Sequence, residues 1–156
     1  MIKRLNEKNV IDLIEFFNRV NDRFEDTYIT INKERVFLKN NWKLLNKILK
    51  YQEIFALDYE NGIKGILIIL REKNFRPYIK ILTENTKYNI DLLKFLKWNF
   101  GEIDLYAKFK KENPLATQII RTGFTRIGDR GKEILFLKKG IKTLYKIIPK
   151  DLREIN

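Results

Sequence analysis

What this chain can do chemically is narrowed first by what it lacks. It contains no histidine and no cysteine. That removes the imidazole base, the thiolate nucleophile and the soft metal ligands, and no metal site is expected. Carboxylates, phenols, threonine hydroxyls, lysines and backbone groups remain. Several of them gather in one stretch: Glu84, Lys87, Tyr88 and Asp91 follow one apolar segment, and Asp104 and Tyr106 lie on the next.

The elements that must position these residues read as strand, loop, helix and strand. Tyr78–Thr83 is aromatic and β-branched, with Pro77 just before it, where a strand can begin without losing a central ladder bond. Asn89 is placed to cap a helix over 90–100, with Asp91 in its electropositive first turn and Gly101 at its end. Leu92, Leu93, Phe95, Leu96, Trp98 and Phe100 cover more than one stripe of that helix, which predicts packing on most sides. Residues 102–110 alternate with the period of a half-buried strand. Strand, crossover helix and strand predict two parallel neighbours. In such units a ligand usually binds at the loop leaving the first strand.

The remaining chain supplies the frame. Its 156 residues suit one domain, and 44% hydrophobic with 13% aromatic residues excludes a disordered chain. No run approaches the length of a membrane span, and the first residues lack an apolar signal core, so an intracellular protein is expected. Residues 2–5 read as a strand. Asn9 and Asp12 form a cap pair for a helix carrying Val10, Leu13, Ile14, Phe17, Val20 and Phe24. A second helix is expected from Asn32, turning Val36, Leu38, Trp42, Leu45, Ile48 and Leu49 inward. Residues 53–60 and 65–70 form a hairpin across a two-residue Asn61-Gly62 turn, the returning strand being apolar on both faces and therefore central.

Beyond residue 110, Asn113-Pro114 begins a short helix with Leu115, Ile119 and Ile120 inward, and Gly123 stops it. Residues 124–127 and 134–137 pair across a 128–131 loop. The domain is expected over 1–139. Leu144, Tyr145, Ile147 and Ile148 predict that the tail, 140–156, docks on the domain or on a partner chain. The net charge of +12 would suit nucleic acid or a phosphorylated cofactor. The lysines are scattered, however, and the short clusters at Lys108-Lys110-Lys111 and Lys138-Lys139-Lys142 match no binding motif, so compositional bias outweighs nucleic acid.

Asn113, the small Ala116, Gly123-Phe124 and Leu135-Phe136-Leu137-Lys138, in that order after the alternating strand, resemble the closing pattern of the GNAT fold, the acyl-CoA N-acyltransferase superfamily. The element order over 1–139 is similar too. The resemblance implies an α/β fold, a mixed sheet flanked by helices with a splayed parallel strand pair at its centre. It also implies acetyl-CoA as cofactor and an amine as acceptor. The backbone of Ile81, Leu82 and Thr83 would receive the pantetheine arm and supply an oxyanion donor. Lys87, Tyr88 and Asn89 would border the pyrophosphate, and Asn113 would complete the cofactor site.

Two departures bear on activity. The stretch 86–91 has no glycine to admit a phosphate closely and carries Asp91 where the pyrophosphate would rest. Ile119 stands where many members carry the tyrosine that protonates the leaving thiolate. Tyr106 or Tyr88 is then the substitute acid, and Glu84 or Asp104 the acceptor of the amine proton. Three functions compete. The first is an N-acyltransferase acting in the cytoplasm. The second is a catalytically silent GNAT-like module, such as a tailed-phage virion component, binding protein through its tail. The third is a nucleic-acid-binding domain.

Overall fold

A computed structural model describes residues 1–20, 27–31, 33–72 and 76–140. Phe24, Asn32 and the apolar tail after Gly140 lie outside the described residues. The chain runs β1 (Ile2–Arg4), α1 (Val10–Arg19), β2 (Tyr28–Ile31), β3 (Glu34–Phe37), α2 (Trp42–Tyr51), β4 (Glu53–Tyr59), β5 (Gly62–Leu70), β6 (Tyr78–Thr83), α3 (Asn89–Asn99), β7 (Leu105–Lys110), α4 (Leu115–Gln118), β8 (Thr125–Arg130) and β9 (Glu133–Lys138). Seven strands join in one sheet in the order β1-β4-β5-β6-β7-β9-β8, and β2 and β3 form a separate hairpin.

The sheet order follows from where apolar residues fall. β5 is apolar at successive positions because both its faces are covered: Ile66 and Ile68 meet the side of α1 and α2, while Leu67 and Ile69 meet the side of α3 and α4. Leu13, Phe16, Phe17, Leu45 and Ile48 complete the first layer, and Leu92, Leu96, Leu115 and Ile119 the second. Full burial of each such side chain is worth about 1.5–3 kcal/mol. β6 and β7 are parallel neighbours, as expected, and pair only at Tyr78↔Tyr106 and Ile79↔Ala107. β6 then continues to Thr83 along β5, and β7 to Lys110 along β9, without further pairing to each other. No helix among the described residues is long and apolar enough to cross a membrane.

Several local expectations are corrected. The expected long second helix is instead β3 followed by α2: Glu34–Phe37 pairs with Tyr28–Ile31, and Lys33 and Asn40 adopt positive φ (68° and 58°), which no helix accommodates. α2 starts only where Asn41 caps it, its side chain accepting from Leu44 N at 3.2 Å. α1 ends at Arg19, and the Asn9 side chain accepts from Asn6 N at 3.0 Å instead of capping α1. The β4–β5 turn is Glu60-Asn61, closed by Tyr59↔Gly62, and Gly62 itself takes φ +102° after it. β7 starts at Leu105, so residues 102–104 do not belong to it.

At the C-terminal hairpin β8 runs through Gly128, and the turn lies at Gly131-Lys132, between Arg130 and Glu133. Ile127 is the extra residue where the register shifts. Ile120 is exposed, not inward. α3 is not packed all round: Trp98 is 81% and Ile90 51% exposed.

Candidate active site

The parting of β6 and β7 leaves one backbone edge without a neighbouring strand. Glu84 N donates to Lys64 O at 2.8 Å, which fixes the ladder: even-numbered residues of β6 turn their amides to β5 and odd-numbered ones turn theirs the other way. Ile79 meets β7, but the N–H and C=O groups of Ile81 and Thr83 face the side that β7 has left. Leu82 is spent on β5. At the far end of the gap, Thr83 Oγ1 donates to Asn89 Oδ1 at 2.7 Å and Asn89 Nδ2 donates to Gln118 Oε1 at 3.1 Å. Buried Asn89 thus ties β6 to the helix that follows β7, and is not the cap expected for α3.

Between β6 and α3, Asn85 Oδ1 accepts from Lys87 N at 3.0 Å and closes the 3-10 turn Thr86–Tyr88. α3 carries no side-chain cap because the 3-10 turn runs straight into it, Tyr88 N donating to Asn85 O at 3.0 Å and Asn89 N to Thr86 O; Lys87 lies in that turn and exposed Asp91 in the first turn of α3. Tyr88 packs on Tyr59, ring centroids 6.0 Å apart.

On the opposite face of the sheet, at the point of parting, lies a cavity of about 320 Å³. β6 and β7 form its floor through Ile79, Lys80, Tyr106, Ala107 and Lys108, and β2 covers it with Tyr28, Ile29 and Thr30. Tyr28 is the hub. Its hydroxyl donates to Glu133 Oε2 at 3.1 Å, and Lys80 Nζ, Arg35 and Lys108 Nζ stand 4.6, 4.8 and 5.4 Å from its ring centroid. Glu133 also pairs with Arg35 at 3.6 Å and Lys108 at 3.8 Å. Tyr78 OH donates to Thr30 O; burial, and secondarily the Glu72 carboxylate, push this phenol well above its usual range. Glu72 Oε1 is buried in the cavity wall without a hydrogen-bond partner among the described residues.

No family model and no curated protein sequence matches this chain. Solved structures do. The chain superimposes on a GNAT-family acetyltransferase from Streptococcus pneumoniae with TM-score 0.60 at 17% identity, covering 88% of this chain and 97% of that one. An N-acetyltransferase from Staphylococcus aureus Mu50 gives TM-score 0.62 at 17% identity over 89% and 96% of the two chains. A variant of spermidine N-acetyltransferase from Vibrio cholerae gives 0.62 at 14% identity over 94% and 98%. This chain has the GNAT fold.

In this GNAT fold the residues expected to act are not all brought together. Ile81, Thr83, Lys87 and Asn89 lie around the open end of the gap. Tyr88 lies beside them against Tyr59. Asn113 is buried, and its Oδ1 accepts from Leu115 N at 2.9 Å as the cap of α4. Glu84 is held between Lys64 Nζ at 3.1 Å and Arg19 Nε at 3.7 Å. Tyr106 sits opposite Tyr78 at the closed end, its hydroxyl accepting from Arg76 Nη1 at 3.3 Å. Glu84 and Tyr106 therefore stand at opposite ends of the strand pair. Asp104 accepts from Gly140 N at 2.7 Å. Tyr28, Glu72, Gln118 and Glu133 were not singled out from the sequence. Lys80, a cation inside the apolar run of β6, was the one legible sign that this face is polar.

Proposed function

We propose that this chain is an N-acyltransferase that takes its acyl group from acyl-CoA, acetyl-CoA in the simplest case, and passes it to an amine where β6 and β7 part. One observation carries the proposal. The strands separate just after Ile79 and Ala107, leaving the amides of Ile81 and Thr83 on the vacated side and a cavity against the other face. The donor set fits an acyl-pantetheine chain: Ile81 and Thr83 offer backbone donors and acceptors to its amides, and Lys87 with the positive dipole end of the Thr86–Asn99 helical stretch offers favourable potential to its phosphates. Bound acyl-CoA supplies a thioester; transfer forms a C–N bond, breaks the C–S bond and moves one proton from nitrogen to sulfur. Of the three phenols that line the cavity, Tyr28 and Tyr78 donate to Glu133 and Thr30, and Tyr106, whose hydroxyl accepts from Arg76, is the candidate acid. Glu84, pinned by two cations, anchors the loop. An acyl-CoA substrate would place the activity in the cytoplasm.

A specific observation favours a second reading, a GNAT-fold binding module without catalysis, such as a virion component. Stretch 86–91 lacks glycine, and Asn85 occupies the Lys87 amide that a phosphate would otherwise use. Thermal unfolding with acetyl-CoA separates the two. A ligand at about 100 times its Kd adds about 2.7 kcal/mol, a rise of about 5–10 °C for a chain of this length. Acyl transfer predicts such a rise at millimolar acetyl-CoA. An unmoved midpoint favours the silent module.

A further inference from the structure

We infer that the outward face of α2 is a docking surface for single-stranded nucleic acid, its lysines meeting phosphates and an aromatic ring at each end stacking on a base. This face is separate from the parting of β6 and β7, and the inference does not depend on acyl transfer.

Uncompensated charge is the first ground. From Arg35 to Gln52 the chain carries no Asp or Glu. Lys43, Lys47 and Lys50 stand at i, i+4 and i+7 of α2, so they share one exposed stripe about 10 Å long, and exposed Lys39 lies just before the helix. None of the four makes an ion pair among the described residues. Lysines of the sheet differ: Lys3, Lys64 and Lys111 pair with Asp58, Glu84 and Asp129. Like charges four apart on a helix repel, and a polyanion laid along the stripe relieves that repulsion while releasing its own counterions.

Two exposed rings are the second and independent ground. Trp42 and Tyr51 are the first and last residues of α2, about 13 Å apart along its axis, and they are 51% and 69% exposed. The Trp42 ring has no aromatic or cationic neighbour among the described residues, and Lys50 Nζ stands 5.3 Å from the Tyr51 ring centroid. A row of cations ending in a free ring on either side suits a chain of phosphates and unpaired planar bases, which stack on aromatic side chains whatever their sequence. In a duplex the bases are already stacked on each other. A lipid surface fits less well, because an amphipathic helix binds one by sinking its apolar face, and α2 has spent Leu45, Ile48 and Leu49 on the core.

The test is fluorescence titration of the full chain with a labelled single strand of about 20 nucleotides, beside poly-L-glutamate and vesicles of phosphatidylcholine with phosphatidylserine. The single strand should bind at about 10 μM or below in about 50 mM salt, with log Kd rising against log salt at a slope of about 2–3. Lys43→Gln together with Lys47→Gln should weaken it about tenfold and lower the slope by about 1.4. Lys94→Gln together with Lys97→Gln, which takes the same charge from the exposed side of α3, should change it by less than about twofold. Trp42→Ala should weaken the single strand about fivefold at unchanged slope. In a Trp98→Phe protein Trp42 is the sole tryptophan, and its emission should be quenched at saturation. No binding of the single strand, equal losses from the α2 and α3 pairs, unquenched Trp42 emission, or tighter binding of poly-L-glutamate or of the vesicles would overturn the inference.

Discussion

Asn89 shows how much a single side chain can carry in this fold. It is 1% exposed, accepts from Thr83 and donates to Gln118, so both ends of its amide are engaged. Asn89→Ala should cost about 1–3 kcal/mol, because it leaves a buried partner unsatisfied at each end. Urea unfolding would show this as a lower midpoint at unchanged slope. Tyr78 makes a second prediction. Its phenol is held well above its ordinary value of about 10 by burial and by Glu72, so the folded chain keeps a proton that the unfolded chain releases in alkali. The stability this group contributes is therefore intact below pH about 10 and is lost as pH rises beyond it. Tyr78→Phe should remove that loss and raise the pH of alkaline unfolding, which far-UV circular dichroism against pH would measure. At this scale the sequence was least legible. Asn89 read as a helix cap because Asp91 follows it in a first turn, and Tyr28 and Glu133 meet although 105 positions apart. No local pattern announces such a contact.

Elements were legible where only one periodicity fitted. β6 and β7 announced themselves through Pro77, β-branched residues and clean alternation. The 32–41 stretch failed because Leu38 lies four residues before Trp42 and so extends the helical spacing of α2 backward, although Val36 and Leu38, two apart, have the spacing of a strand. The residues that decide against a helix are Lys33 and Asn40, whose positive φ no hydrophobic pattern encodes. The β4–β5 hairpin was read correctly as a hairpin, but its turn was placed one residue late. Glu60 and Asn61 make the turn, and Gly62 alone supplies the positive φ. Gly62→Val should destabilise by about 1–3 kcal/mol, since a β-branched residue resists φ of +102°. Asn61→Ala should cost much less, because Asn61 needs no positive φ. Parallel urea titrations of the two variants would check the ordering.

At the scale of the whole molecule, element order made the architecture readable. One helix between two alternating strands forces a parallel pair, and the terminal Gly123-Phe124 hairpin closes the sheet beside it. The cavity was not readable, because it forms only when the β2–β3 hairpin lies over β6 and β7. There it gathers Lys33, Arg76, Lys80, Lys108 and Arg130, which lie far apart in the sequence. The account stands or falls on whether the gap beyond Ile79 and Ala107 still receives an acyl-CoA. Calorimetric titration with acetyl-CoA of the wild type, Lys87→Ala and Asp91→Asn tests that most directly. The account predicts saturable binding at one site. Lys87→Ala should weaken it by an amount that shrinks as salt rises, and Asp91→Asn should tighten it by relieving repulsion at the first turn of α3. No heat from any of the three proteins at millimolar acetyl-CoA would contradict it.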